Sequence, residues 1–375
     1  MNRWIEEHAK QLSKPTKLGS YSQEDCVFLL KNISTSLEEM SSAQREQAIQ
    51  QGVHYSETLP SEQLPTDQYM RLFHDVLTET AEPIARYIGI VAEMILKERG
   101  KEVILVSLVR AGTPVGVLIK RYIKEKYQLD VPHYSISIIR GKGIDENALC
   151  HIIHQHQSAN LQFVDGWTGK GVINDVLKKA CIAFEQRYHV SISPDLAVLA
   201  DPSHSVRLFG TREDFLIPSA CLNSTISGLT SRSVLREDLI GPYDFHGVKY
   251  YENWQSHDVS NMFVDHITSY FPSLSINSEK LKGNEEILNL GMKEVQEIKE
   301  TFDIEDINRV KPGVGETTRV LLRRVPWKIL VKSKSDPRLK HVIALAKEKQ
   351  VPIEEYPYMS YTCCGLIKNV KGDVQ

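Results

Sequence analysis

Apolar positions three and four apart run through 66–99, the spacing of one helix face, and Gly100 supplies the stop. Pro83 inside this run predicts a kink or a division. Downstream the period changes. Unbroken apolar runs at 103–109, 133–139, 161–165 and 195–201 read as strands, and 114–127, 147–156 and 171–188 between them read as helices. Such alternation predicts an α/β fold: a parallel sheet covered on both faces, with ligands outside the carboxyl ends of the strands. Arg110, Arg140, Asp165 and Asp201 fall at four of those ends, one charge each. The first 67 residues read as polar and helical, with apolar positions at Val27, Leu29, Leu30 and Ile33 and turns at 52–60. From 211 to 272 the pattern loosens into polar and aromatic turns, as in a cap over the sheet. A polar linker at 277–284 precedes a helix at 285–302 and another after Gly315. A strand at 327–332, a helix at 337–350 and a strand at 353–356 follow. The predicted organisation is a helical hood (1–75), a core (76–225), a cap or insertion (226–276), a linker and helix (277–310) and a C-terminal module (311–375).

Composition excludes some classes. With 25% charged and 41% hydrophobic residues the chain is an ordinary globular one, and no apolar stretch approaches the roughly 20 residues that span a bilayer. The first residues lack the apolar core of a signal peptide, and the six cysteines show no CxxC spacing, so a cytoplasmic protein with reduced thiols is expected. Charge is uneven: 311–349 holds 11 Lys/Arg against 3 Asp/Glu, within a chain of net charge −3. A basic segment on an acidic body predicts an anionic partner or, more simply, a solvated helix face.

Two loops carry the chemistry. Arg110, Ala111, Gly112 and Thr113 follow one buried strand, and Asp165, Gly166, Trp167, Thr168, Gly169, Lys170 and Gly171 follow another. A glycine-rich loop between a strand and a helix presents backbone N–H groups and a helix N-terminus to anions. Two cradles predict a ligand with two phosphate groups: pyrophosphate on Arg110–Thr113, ribose on Asp165, a 5-phosphate on Thr168–Gly171. Between them, Arg140 and Lys142 lie in a loop suited to closing over a leaving group. A Walker A loop is excluded, because the spacing around Lys170 is two short and Gly171 stands where Ser/Thr would hold Mg²⁺.

Over about residues 101–218 these motifs resemble the type I phosphoribosyltransferases. The resemblance implies binding of 5-phosphoribosyl-1-pyrophosphate with Mg²⁺, for which Asp165 is the candidate ligand, and ribosyl transfer to or from a nucleobase-like acceptor. Arg140, Lys142, Asp165 and Asp201 would be the catalytic group. The pattern departs at Gly166, where a second acid is usual, and Asp201 is the candidate to compensate. A closer resemblance, carried by 133–145, 163–171 and 210–225, is to a phosphoribosyltransferase-like family of bacterial tellurite-resistance and stress operons. Some of its members are labelled cysteine protease StiP. That label implies a thiol nucleophile, for which Cys221 is the candidate, with His204 and His246 as candidate bases; a buried structural thiol is the plainer alternative. A non-catalytic nucleotide- or RNA-binding protein of the stress response is the second reading after the transferase, and the cysteine hydrolase is the third.

The C-terminal module resembles the Pelota and kink-turn RNA-binding domain, an α/β/α sandwich. Gly313, Glu316, Thr317 and Arg319 match its helix start, but Gly315 replaces the expected Asn. Arg319 and Arg323, with Lys328 and Lys332, would meet the phosphates of a structured RNA.

Overall fold

The computed structural model describes residues 3–277 and 287–368. Six strands form the main sheet: β1 (Val27–Phe28), β2 (Ile104–Leu108), β3 (His133–Ile136), β4 (Leu161–Trp167), β5 (Leu196–Ala200) and β6 (Leu208–Thr211). They lie in the order β1-β3-β2-β4-β5-β6, and every pair is parallel. Alternate side chains of β2 enter opposite apolar clusters, so both faces are covered. Helices α1 (Asp67–Arg99) and α2 (Gly112–Tyr127) cover one face; α3 (Glu146–His156) and α4 (Val172–Tyr188) cover the other. The chain leaves β2 in one direction to β3 and returns on its other side as β4. The loops after β2 and β4 therefore flank the point where the winding reverses.

Three expectations are corrected. Helix α1 runs 33 residues through Pro83 without division, its Ala81, Ile84, Ala85 and Ile88 fully buried on the body. Packing on both sides of the proline outweighs the one hydrogen bond it removes. The segment around Val27–Ile33 is extended rather than helical: Val27 pairs with Tyr134, and Lys31–Asn32 pairs with Gly247–Val248. A short apolar run fits either period, and here the sheet edge decides. The presumed cap is partly body, because α5 (Ser260–Thr268) buries Phe263, Val264 and Ile267 in the same cluster as α1 and α2.

The C-terminal module is a second α/β unit. Strands β7 (Val310–Pro312), β8 (Pro326–Val331), β9 (Ile353–Glu355) and β10 (Cys363–Ile367) lie in the order β7-β10-β8-β9. Helix α6 (Leu290–Thr301) packs on Leu330 and Leu366 of one face. Helices α7 (Val314–Arg323) and α8 (Lys340–Glu348) pack on Ile329 and Val331 of the other, giving the expected sandwich. That second cluster is continuous with α1, so the module is joined to the body by apolar packing. Most of the expected linker lies outside the described residues. Among the described residues, no helix is long and apolar enough to cross a membrane.

Candidate active site

Strand pairing brings the two loops together. A Cβ on Gly112 would sit 2.3 Å from the Val164 carbonyl oxygen, so only glycine admits this approach. The side chains nevertheless diverge. Asp165 lines a hollow of about 340 Å³ with Arg140, Lys170, Lys311 and Glu316, at the start of α4. Arg110 turns away, pairing with Glu62 at 2.5 Å and donating to the Thr230 carbonyl at 3.3 Å. It lines a smaller hollow of about 30 Å³ with Ser219, Asn223 and Arg319. Trp167 borders both hollows. Arg110 and Asp165 therefore do not grasp one ligand between them.

Electrostatics give the larger hollow its character. Burial pushes the Asp165 carboxyl up to about 7, against a partly offsetting bond from the Gly166 N–H, 2.7 Å away. Lys170 donates to the Ile307 carbonyl at 2.5 Å, and burial, then Lys311, depresses its pKa to about 8. Arg140 lies on the rim, its N–H donating to the Tyr55 hydroxyl at 2.8 Å. Its loop is not open: Ile138–Ile139 pairs with Gly143–Ile144 as a short hairpin. Lys142 faces Glu57 at 3.8 Å rather than the hollow.

Several expected ligand groups are spent inside the protein. Asp201 is fully buried; it pairs with Arg212, accepts from Thr168 and Ser203, and accepts the N–H groups of Ser205 (3.0 Å) and Val206 (3.1 Å). It braces the loop and does not reach the hollow. Thr113 is buried with its hydroxyl 2.9 Å from that of Ser135. The Gly169 carbonyl accepts from Tyr361 at 2.7 Å, and Gly171 caps α4 at φ 80°. Glu62 and Asp214, which matter here, carry no local signal: their partners lie 48 and about 100 residues away.

The helix start that resembled an RNA grip faces inward. One Asp214 oxygen accepts the Val314 N–H at 2.9 Å and the other accepts the Thr362 N–H at 2.8 Å. Asp214 thus closes the N-terminus of α7, and burial raises its carboxyl to about 6. Gly313 and Glu316 line a hollow against the body, and Thr317 is buried. Arg319 pairs with Glu316 at 2.9 Å, donates to the Ala220 carbonyl at 3.0 Å and lies 5.2 Å from the Trp167 ring centre. The predicted RNA-facing surface is a domain junction. Arg323 ends α7, and its side chain lies outside the described ones.

All six cysteines are buried. Burial pushes the thiols of Cys26, Cys150, Cys181 and Cys364 up to about 12 and raises Cys363 as well. Cys221 ends the short helical turn Pro218–Ala220, its N–H bonded to the Pro218 carbonyl. Its neighbours Ala220, Leu222 and Asn223 border hollows on either side. Of the two histidines expected as its bases, His246 bonds the Ser137 hydroxyl through Nδ1 at 2.9 Å, and His204 sits in the turn after Asp201.

Residues 19–268 match the family model described as tellurite-like stress resistance cysteine protease StiP. The chain belongs to the StiP family. The match of 289–369 to the Pelota RNA-binding domain agrees with the sandwich seen there. A protein of Acinetobacter baylyi named cysteine protease StiP is 33% identical over 348 residues, covering 90% of each chain. These findings overturn the phosphoribosyltransferase reading. The family and the relative carry a protease name, and the separate hollows of Arg110 and Asp165 agree with that correction. The pyrophosphate donor and ribosyl transfer go with it. Magnesium at Asp165 is expected only as part of that chemistry, on the resemblance to the transferases.

Proposed function

We propose that this StiP-family chain is a thiol-dependent hydrolase of peptide bonds, with Cys221 as its nucleophile. The protease name comes from the relative that is 33% identical and aligned over 90% of both chains. The observation that selects Cys221 is its setting: of the six thiols, it is the one whose neighbours line the described hollows. Two guanidiniums line the small hollow beside it, Arg110 paired with Glu62 and Arg319 paired with Glu316. The thiol gives up its proton and attacks a peptide carbonyl; the C–N bond breaks, the amine leaves with that proton, and water hydrolyses the thioester to a carboxylic acid and the free thiol. Cys221 is fully enclosed, so the strip must open first. Its latches are the Arg319 bond to Ala220 and the bonds from the Ser224 N–H and hydroxyl to Glu62, at 3.3 and 3.0 Å.

Cleavage of unfolded casein by the reduced full-length protein tests this. Cys221→Ala is expected to lower the rate more than about 10³-fold, as loss of a nucleophile does. Cys181→Ala, on the far face of the sheet, is expected to retain it. Full activity in Cys221→Ala overturns the assignment.

A further inference from the structure

A domain of the Pelota RNA-binding class is fused to a body that covers its helix start, so RNA needs another way in. The larger hollow offers one. Lys311 comes from the module, Lys170 from the loop after β4 and Arg140 from the hairpin after β3, and all three line the same space. The acids among its lining residues are Asp165, which keeps its proton up to about 7, and Glu316, which is paired with Arg319.

Like charge accumulates further around this mouth. Lys311 is lowered by burial and, against Glu316 and Asp306, by Arg140 and Arg324. Arg232, whose guanidinium lies 4.8 Å from the Tyr55 ring centre, is lowered to about 10 by burial, then Arg45, Arg110 and Arg140. The Arg140 guanidinium lies 5.4 Å from the same ring. Cations crowded in this way at a half-open cleft are stabilised by a polyanion that brings phosphates to several of them at once. A space of about 340 Å³ suits one nucleotide of an unpaired strand and is too small for a duplex.

We infer that the cleft between the body and the C-terminal module binds single-stranded RNA, one nucleotide seated in the hollow and its flanking phosphates held against Arg140, Lys170 and Lys311. This goes beyond the hydrolase reading, and a binding readout separates the two.

Fluorescence anisotropy of a labelled twelve-nucleotide oligouridylate on the full-length protein tests it. Arg140→Ala and Lys311→Ala are each expected to weaken binding about 5- to 10-fold. Each should also reduce the slope of log affinity against log salt by about 0.7, the share of one single-strand phosphate contact. Lys347→Ala and Lys349→Ala, in the same basic segment but not lining the hollow, are expected to leave both quantities unchanged. Melting temperatures check that the variants fold. Should Lys311→Ala not fold, Arg140→Ala carries the test, because its side chain is exposed. The inference is overturned if binding survives in the cleft variants and falls in the control pair. It is also overturned if the oligonucleotide binds no tighter than uridine 5′-monophosphate, or not at all.

Discussion

Asp165 and Asp214 are both acids raised by burial at the boundary between body and module, yet they do opposite things. Asp214 aims its two oxygens at two backbone N–H groups of the module and shuts the start of α7. Asp165 accepts one bond from its own neighbour and faces a hollow lined by cations. One carboxylate ends a surface by satisfying it; the other leaves a surface open. The comparison teaches that a helix N-terminus with the right residues is a site only where nothing in the same chain already occupies it.

The largest effect should come from Asp214. Asp214→Ala leaves the Val314 and Thr362 N–H groups without their acceptor in a buried junction, at roughly 1–3 kcal/mol per unsatisfied group. Urea unfolding should show a loss of about 2–5 kcal/mol; a loss under 1 kcal/mol would mean that the junction is not held there.

Asp165 should show itself as pH dependence. Its folded pKa, about 7, lies above the ordinary carboxyl value of 3.8, so the folded state binds more protons between those limits. Stability therefore falls as pH rises from about 4 to 7, and that decline ends above 7. Asp165→Asn is expected to flatten this part of the stability–pH curve; an unchanged slope would place the carboxyl in solvent.

The smallest effect belongs to Glu316. Its pair with Arg319 is about 30% exposed on both sides, and such pairs contribute about 0–1 kcal/mol. Glu316→Gln should shift the unfolding midpoint little, whereas a loss comparable to Asp214→Ala would make Glu316 the true latch.

Much of the architecture was legible in the sequence. The runs around Ile104–Leu108 and Leu161–Trp167 are apolar enough to be central parallel strands, and their abrupt ends in Ala111-Gly112 and Gly169-Gly171 placed the loops correctly. Short edge strands such as Val27–Phe28 were not legible, because two residues carry no period. The direction of the loops' side chains was hidden for a different reason. Arg110 points at Glu62 and α7 is capped by Asp214, and both partners come from distant segments with no motif of their own. The family match overturns the transferase reading, and the geometry agrees: adjacent loops need not carry convergent side chains. The thiol was visible as a residue, but its strip between hollows exists only in three dimensions.

The closing of α7 by Asp214 is what makes the module a wall of the cleft, and amide hydrogen exchange of the intact protein tests it most directly. The account predicts that the Val314 and Thr362 amides exchange slowly, as part of the core shared by body and module, and that Asp214→Ala releases both. Exchange of these amides at the rate of solvent-exposed ones in the unaltered protein would contradict it.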